Sequence, residues 1–360
     1  MKNRQQSVPT QRAEGRAARR TADIAVAAAT LALSLVLTGC GGAATAQPGA
    51  NEASTAGNEA KELRYQGWAN TVTLPELAQD LGYLGDVKLN WVGNTISGPQ
   101  DIQSAATGQT DFGGAFAGAV VKLVEAGAPV KAVINYYGED EKTFNGFYVK
   151  EDSPIRSARD FIGKKIAVNT LGAHADAVIN TYLQKNGLTD DEIKQVQLVV
   201  VPPNDTEEAI RRGHVDAGSL GSILQDKAIA NGGLRSVFSD AQLFGTFAGG
   251  PYVLRTEFIT KNPNTTRTFT TGVAKAIEWE RTTPREEVIA RFTKILEERG
   301  RNENPAALQY WKSVGVPAKG EIKDEDFTRW SKWLKDTGII TGELDPKKLY
   351  TNEFNSLVTG

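Results

Sequence analysis

The residues that could carry chemistry in this 360-residue chain are few: one cysteine, Cys40, two histidines, His174 and His214, and scattered hydroxyls and carboxylates. A nucleophile needs a base beside it, a metal needs several donors at fixed spacing, and a phosphate needs a glycine-rich turn opening a helix. None of these patterns can be assembled. Gly218-Ser219-Leu220-Gly221 lacks the G-x-S-x-G spacing of a nucleophile elbow. Neither histidine stands in an H-E-x-x-H context, and no cysteine is available to join them. His214, in Gly213-His214-Val215-Asp216-Ala217, reads as a surface turn before a strand. His174 falls at a helix start, where a hydrogen-bonded first-turn residue and a contact to a small ligand are equally good readings. No catalytic set, cofactor or metal is expected from these residues.

The N-terminal residues bear on where such a chain works. Arg12, Arg16, Arg19 and Arg20 precede an apolar run from Ile24 to Leu37. As a helix that run is about 21 Å long, short of a hydrocarbon core of about 30 Å, so it reads as the h-region of an export signal over residues 1–39. Leu37-Thr38-Gly39-Cys40 resembles the lipobox of bacterial lipoproteins, which implies lipidation of Cys40 and anchoring to the outer face of the cell membrane. Arg19-Arg20 followed by Thr21-Ala22-Asp23 fits the twin-arginine motif poorly, and the export route stays open. With a lone cysteine no intrachain disulfide can form, so stability has to come from a large core. Without residues 1–39 the net charge is about −6, which argues against nucleic acid as a partner. From Gly41 to Ala60 there is no aromatic residue and no Val, Ile or Leu, so residues 40–60 read as the lipidated cysteine and a flexible tether of about 25 Å reach.

From Lys61 onward strands and helices alternate. Leu63–Gln66, Val87–Val92, Thr110–Gly113 and Val130–Tyr136 are strand candidates, with helices near Leu74–Leu81, from Ser97 to Gly108 and over Ala115–Gly127. The pattern restarts with strands at Gly146–Lys150, Lys165–Asn169, Val196–Val201, Val215–Ala217 and Leu234–Phe238. Helices at Gly172–Asn186, Asp205–Arg212 and Gly221–Ala230 separate them. Ser97-Gly98-Pro99-Gln100 has the form of a capping box, and Asp205 with Glu208 that of another. Such alternation implies parallel sheets covered by helices on both faces. Gly146–Lys150 and Pro251–Arg255 resemble one another and read as paired crossings between two α/β lobes: 61–147 with 252–360, and 148–251. Trp330, Trp333 and Leu334 stand at helical spacing and read as core. Open α/β sheets bind ligands beyond the carboxyl ends of their strands, so a cleft between two such lobes is the expected site.

Gly98-Pro99-Gln100, Thr110-Asp111-Phe112-Gly113-Gly114, Ala126-Gly127-Ala128-Pro129-Val130, Asp152-Ser153-Pro154-Ile155, Gly163-Lys164-Lys165-Ile166-Ala167-Val168 and Gly213-His214-Val215-Asp216-Ala217 follow in a distinctive order. Together they resemble the nitrate/sulfonate/taurine/thiamine-precursor (aliphatic-sulfonate-binding) family over residues 61 to about 350. The resemblance implies the type II periplasmic binding protein fold and a monomeric, extracytoplasmic solute-binding component that serves the permease of an ABC importer. It implies a small organic anion, sulfonate-like, as ligand, with a neutral or aromatic solute such as a thiamine-precursor pyrimidine as the alternative. An enzyme of the related pyrimidine-synthase type is the further alternative, weakened by the absence of that group's cysteine-rich run; a sensing role is another. Carried over by position, the ligand contacts are Gln66, Gly67 and Trp68; Ser97 and Gly98; Gly114, Ala115 and Phe116; Thr170, Gly172, Ala173 and His174; and Gly218 and Ser219. The small residues of Gly218–Gly221, where sulfonate binders commonly carry a tryptophan, imply a roomier pocket floor.

Overall fold

The computed structural model describes residues 59–360. The expected export signal, Cys40 and the tether as far as residue 58 lie outside the described residues. The last two residues of the expected tether are already fixed. The Glu59 carboxylate accepts from Asn264 Nδ2 (2.8 Å) and Thr265 N (2.7 Å), and Ala60 N donates to Asn262 Oδ1 at 2.8 Å.

Among the described residues ten strands form three sheets. They are β1 (Glu62–Gly67), β2 (Lys88–Asn94), β3 (Phe112–Gly114), β4 (Val130–Glu139), β5 (Asn145–Lys150), β6 (Lys165–Val168), β7 (Gln197–Val200), β8 (Ala217–Gly221), β9 (Leu234–Ser239) and β10 (Phe247–Arg255). β1 and β2 pair in parallel; the second sheet has the order β3-β10-β4 and the third β7-β6-β8-β5-β9. The expectation of purely parallel sheets does not hold. β10 runs antiparallel to both neighbours, and β5 runs antiparallel to β8 and β9. Both strands bring the chain across from the other sheet. A parallel strand needs a crossover helix within its own sheet to bring it back in the same direction, and these two have none.

Hydrogen bonding also moves the crossings. Asn145 to Tyr148 already pair with β8, and every residue from Phe247 to Arg255 except Gly249 pairs with β4. The chain therefore passes between the sheets at residues 140–144 and 240–246, ahead of Gly146–Lys150 and Pro251–Arg255. The first crossing is a stiff turn, with Asp140 Oδ1 accepting from the N–H groups of Lys142 and Thr143, each at 2.7 Å.

The apolar pattern is carried into three aromatic groups. Phe112 stacks with Tyr65 and packs on Tyr252 and Phe269 under the antiparallel sheet. Phe147, Phe161, Tyr182 and Phe238 do the same under the five-stranded sheet. Between them Trp330, 1% exposed, meets Phe116, Phe244 and Phe247. Trp330, Trp333 and Leu334 are thus core, as their spacing implies. No helix among the described residues is long and apolar enough to cross a membrane.

Candidate functional site

A cavity of about 330 Å³ opens between the antiparallel sheet and the five-stranded one. Its shape follows from where helices begin. Gly98–Ala106, Ala117–Glu125, His174–Lys185, Pro203–Arg211 and Ser222–Ala230 all bring their first residue or N-cap to the wall. None of the five has a side-chain cap: the N-cap residues are Ser97, Phe116, Ala173, Pro202 and Gly221. The expected capping box at Ser97 is not formed, because its backbone N–H takes Thr95 Oγ1 (3.2 Å) and its side chain caps nothing. Asp205 is likewise inside the first turn and is no cap, since Pro202 and Pro203 start that helix. First-turn N–H groups without partners carry partial positive charge. Three of these helices hold an acid of their own in the first turn, Asp101, Asp176 and Asp205, and two of those acids accept a backbone hydrogen bond. Asp101 accepts from Gly114 N (2.7 Å) and Asp176 from Gly172 N (2.8 Å), and burial pushes Asp101 up to about 7.

Apolar walls come from Trp68, Phe116, Tyr136 and Tyr137. Tyr136 stacks on Tyr252 with 4.2 Å between ring centres, which fixes its plane. No Lys or Arg occurs among the described residues of the lining. At the floor, Gly221 leaves room for the Asn145 amide, which a Cβ would strike, and Ser222 takes a left-handed φ of 49°. A non-glycine residue held there is strained backbone at a cavity wall.

The deepest polar feature joins both crossings. Glu139 ends β4, Asp240 follows β9, and both are buried, at 1% and 0% exposure. Asn145 bridges them: its Nδ2 donates to Glu139 Oε1 (2.7 Å) and its N–H to Asp240 Oδ1 (3.0 Å). Ala241 N adds a bond to Asp240 Oδ1 at 2.7 Å. Burial, and then the charge of Asp240, hold Glu139 well above the carboxylate range. Burial lifts Asp240 to about 7 against the hydrogen bonds from Asn145 and Ala241. His174 Nε2 lies 3.3 Å from Asp240 Oδ2. The imidazole is packed among Phe116, Tyr137, Phe247 and Trp330, and burial pulls it down to about 4, so it is neutral at pH 7.

Of the residues expected at the site, Trp68, Gly98, Phe116, Ala173, His174 and Ser219 line the cavity. The others stand next to it or turn away. Ser97 directly precedes the lining residue Gly98, and Thr170 directly follows the lining residue Asn169. Gln66 is half-buried, and a Cβ on Gly67 would face Arg301 and Asn94 instead. Gly114 lies against the rings of Tyr136 and Tyr252, and Ala115 against Gly98 and Gly250. Gly172 is tied to Asp176. Gly218 falls within β8, which starts two residues later than Val215, and a Cβ there would press on Thr206 and Ile210. His214 is exposed in a turn, as read. Sequence reasoning passed over Tyr136, Tyr137, Glu139, Asn145 and Asn169. The run Tyr136-Tyr137-Gly138-Glu139 was the available signal, since an acid continuing an apolar strand is unusual.

The fold is that of periplasmic binding proteins. The aliphatic sulphonate binding protein SsuA from Escherichia coli superposes with a TM-score of 0.61 at 19% identity, over 80% of this chain and 91% of that one. The nitrate-binding protein NrtA from Synechocystis PCC 6803 gives a TM-score of 0.62 at 12% identity, over 82% and 87%. The desulfurization enzyme DszB shares the fold too, with a TM-score of 0.57 at 15% identity over 82% and 97%. No curated protein matches the sequence significantly. Residues 76–287 match the family described as NMT1/THI5 like, more than half of the sequence, and the chain belongs to that family.

Proposed function

We propose that the protein is the solute-binding component of an ABC-type importer, exported and held at the outer face of the cell membrane by lipid on Cys40. Its ligand in this reading is a small organic anion with an apolar body. The observation that carries it is the convergence of five helix starts without side-chain caps on an aromatic-walled cavity with no Lys or Arg among its described lining residues. Helix N-termini receive anions without a Lys or Arg, and Trp68 and Phe116 offer surface to the carbon part. The two sheets, linked only through residues 140–144 and 240–246 as far as strands go, would close on the bound solute. The sulfonate- and nitrate-binding neighbours share the fold and support this reading.

Calorimetry with an alkanesulfonate tests it. Trp68→Ala is expected to cost about 2 kcal/mol, or about thirtyfold in affinity, for the organic anion and far less for an inorganic one. Equal binding by wild type and Trp68→Ala removes Trp68 from the site. A second reading, a neutral aromatic heterocycle, is favoured by the amides of Asn145 and Asn169 and by Glu139, which burial disposes toward its neutral form, in the same cavity. Tight binding of a neutral pyrimidine, with none of a sulfonate, decides for it. Turnover of either solute would instead make the protein an enzyme. Cys40→Ala is expected to abolish lipid labelling, and unchanged labelling would refute the anchor.

A further inference from the structure

The helix starts account for one part of the cavity wall and leave Glu139, Asp240 and His174 without a role. One side-chain donor atom from each lies within 4.8 Å of the others. Glu139 and Asp240 are almost wholly buried, yet Glu139 Oε2, Asp240 Oδ2 and His174 Nε2 receive no hydrogen bond from the described residues. Among the described residues neither acid has a Lys or Arg partner, and the basic group in reach is His174, neutral in its aromatic surroundings. Beyond the bonds from Asn145 and Ala241, and with no Lys or Arg beside them, the two buried carboxyls can be offset within the described residues only by a hydrogen bond between themselves.

We propose that Glu139, His174 and Asp240 form a binding site for a divalent first-row transition ion of the zinc type. One imidazole and two carboxylates are the donor set such ions take, whereas magnesium and calcium prefer oxygen alone. The 3.3 Å between His174 Nε2 and Asp240 Oδ2 is close to the edge of a tetrahedron with ligands at about 2.0–2.1 Å from its centre. Glu139 and His174 line the cavity and Asp240 stands behind them, so the fourth position opens toward the cavity. Asp240 and Glu139 flank the two crossings, and one ion would tie both to the His174–Lys185 helix. That an anionic solute completes the coordination rests on the anion reading above; the ion site itself does not. The three ligands come from distant parts of the chain, which is why no metal-ligand spacing exists in the sequence.

The test is direct ion binding, without any solute. Protein freed of tag histidines and stripped with chelator is titrated with zinc by calorimetry and with cobalt by visible absorption. One ion per chain and a tetrahedral cobalt band are expected. Both should disappear in Glu139→Gln, Asp240→Asn and His174→Gln and persist in His214→Gln, whose imidazole is exposed elsewhere. Thermal melts check folding, and the two amide variants remove charge from a buried pair, so they are expected to fold. Uptake that is the same in wild type and in all three variants overturns the site. So does a wild type that takes up no ion, which leaves the two carboxyls sharing a proton.

Discussion

Glu76 and Glu139 are both buried acids, 6% and 1% exposed, in opposite surroundings. Around Glu76, Arg299 Nη1 approaches one oxygen at 2.9 Å and Arg301 Nη1 the other at 2.8 Å. Tyr65 donates to it at 2.6 Å, and Thr73 completes a capping box for the helix Leu74–Asp80. Arg301 in turn lies over the Trp91 ring. At Glu139 there is no cation, only the Asn145 amide and a second acid. Where the fold has only to hold together, buried charge is matched group by group. Along the cavity, helix starts lack side-chain caps and carboxyls lack counterions, leaving interactions for something outside the chain to complete.

The largest effect should come from breaking the matched cluster. Glu76→Ala leaves Arg301, about a tenth exposed, without a carboxylate partner and takes one of two from Arg299, which keeps Glu303, and is expected to cost about 3–5 kcal/mol in denaturant unfolding. A loss comparable to that of an exposed ion pair would mean the contrast with Glu139 is only apparent. Next comes Glu280, a third buried acid that has no partner in the cluster and is lifted by burial to about 8. Its folded pKa exceeds the unfolded value, so folding takes up a proton between those two values, and this contribution to stability, whole at low pH, fades as pH rises through about 8. Glu280→Gln should therefore flatten the decline of melting temperature from mildly acid to alkaline pH. At pH ~8.5 it should be more stable than wild type, by up to about 5 kcal/mol. An unchanged profile would assign the decline to other groups. The smallest effects compare two caps. Thr73→Ala should cost about 1 kcal/mol and Ser97→Ala less than about 0.5 kcal/mol, because only Thr73 makes the bond. Equal costs would show that the cavity-side helix starts are capped after all.

Much of the fold was legible because it is local. All ten strands fall within a few residues of apolar runs in the sequence, and Trp330 and Trp333 show their buried face through helical spacing. Strand direction was not legible, since apolar alternation is the same whether a strand runs up or down. The expected capping pairs failed for a related reason. Ser97-Gly98-Pro99-Gln100 has the right residue types, but Thr95 Oγ1 takes the Ser97 N–H first. Of the positions carried over from the family resemblance, Trp68, Gly98, Phe116, Ala173, His174 and Ser219 line the cavity, and they stand at strand ends and helix starts. Residues inside strands, such as Tyr136 and Tyr137, escaped that reading, and so did Asn145, which begins a strand on leaving a crossing.

By itself the sequence determined the alternation of strands and helices, the absence of local catalytic or metal-ligand motifs, and the lone cysteine behind a short apolar run. These depend on neighbours along the chain and on periodicities of 2 and 3.6 residues. Only the tertiary structure decided that β5 and β10 run against their sheets, and that five helix starts share one cavity. Only it decided that Glu139 and Asp240, on different crossings, meet beside His174. The reason is physical: hydrogen-bonded pairing and burial act between segments far apart in sequence, and burial, rather than residue type, sets whether a carboxyl is charged.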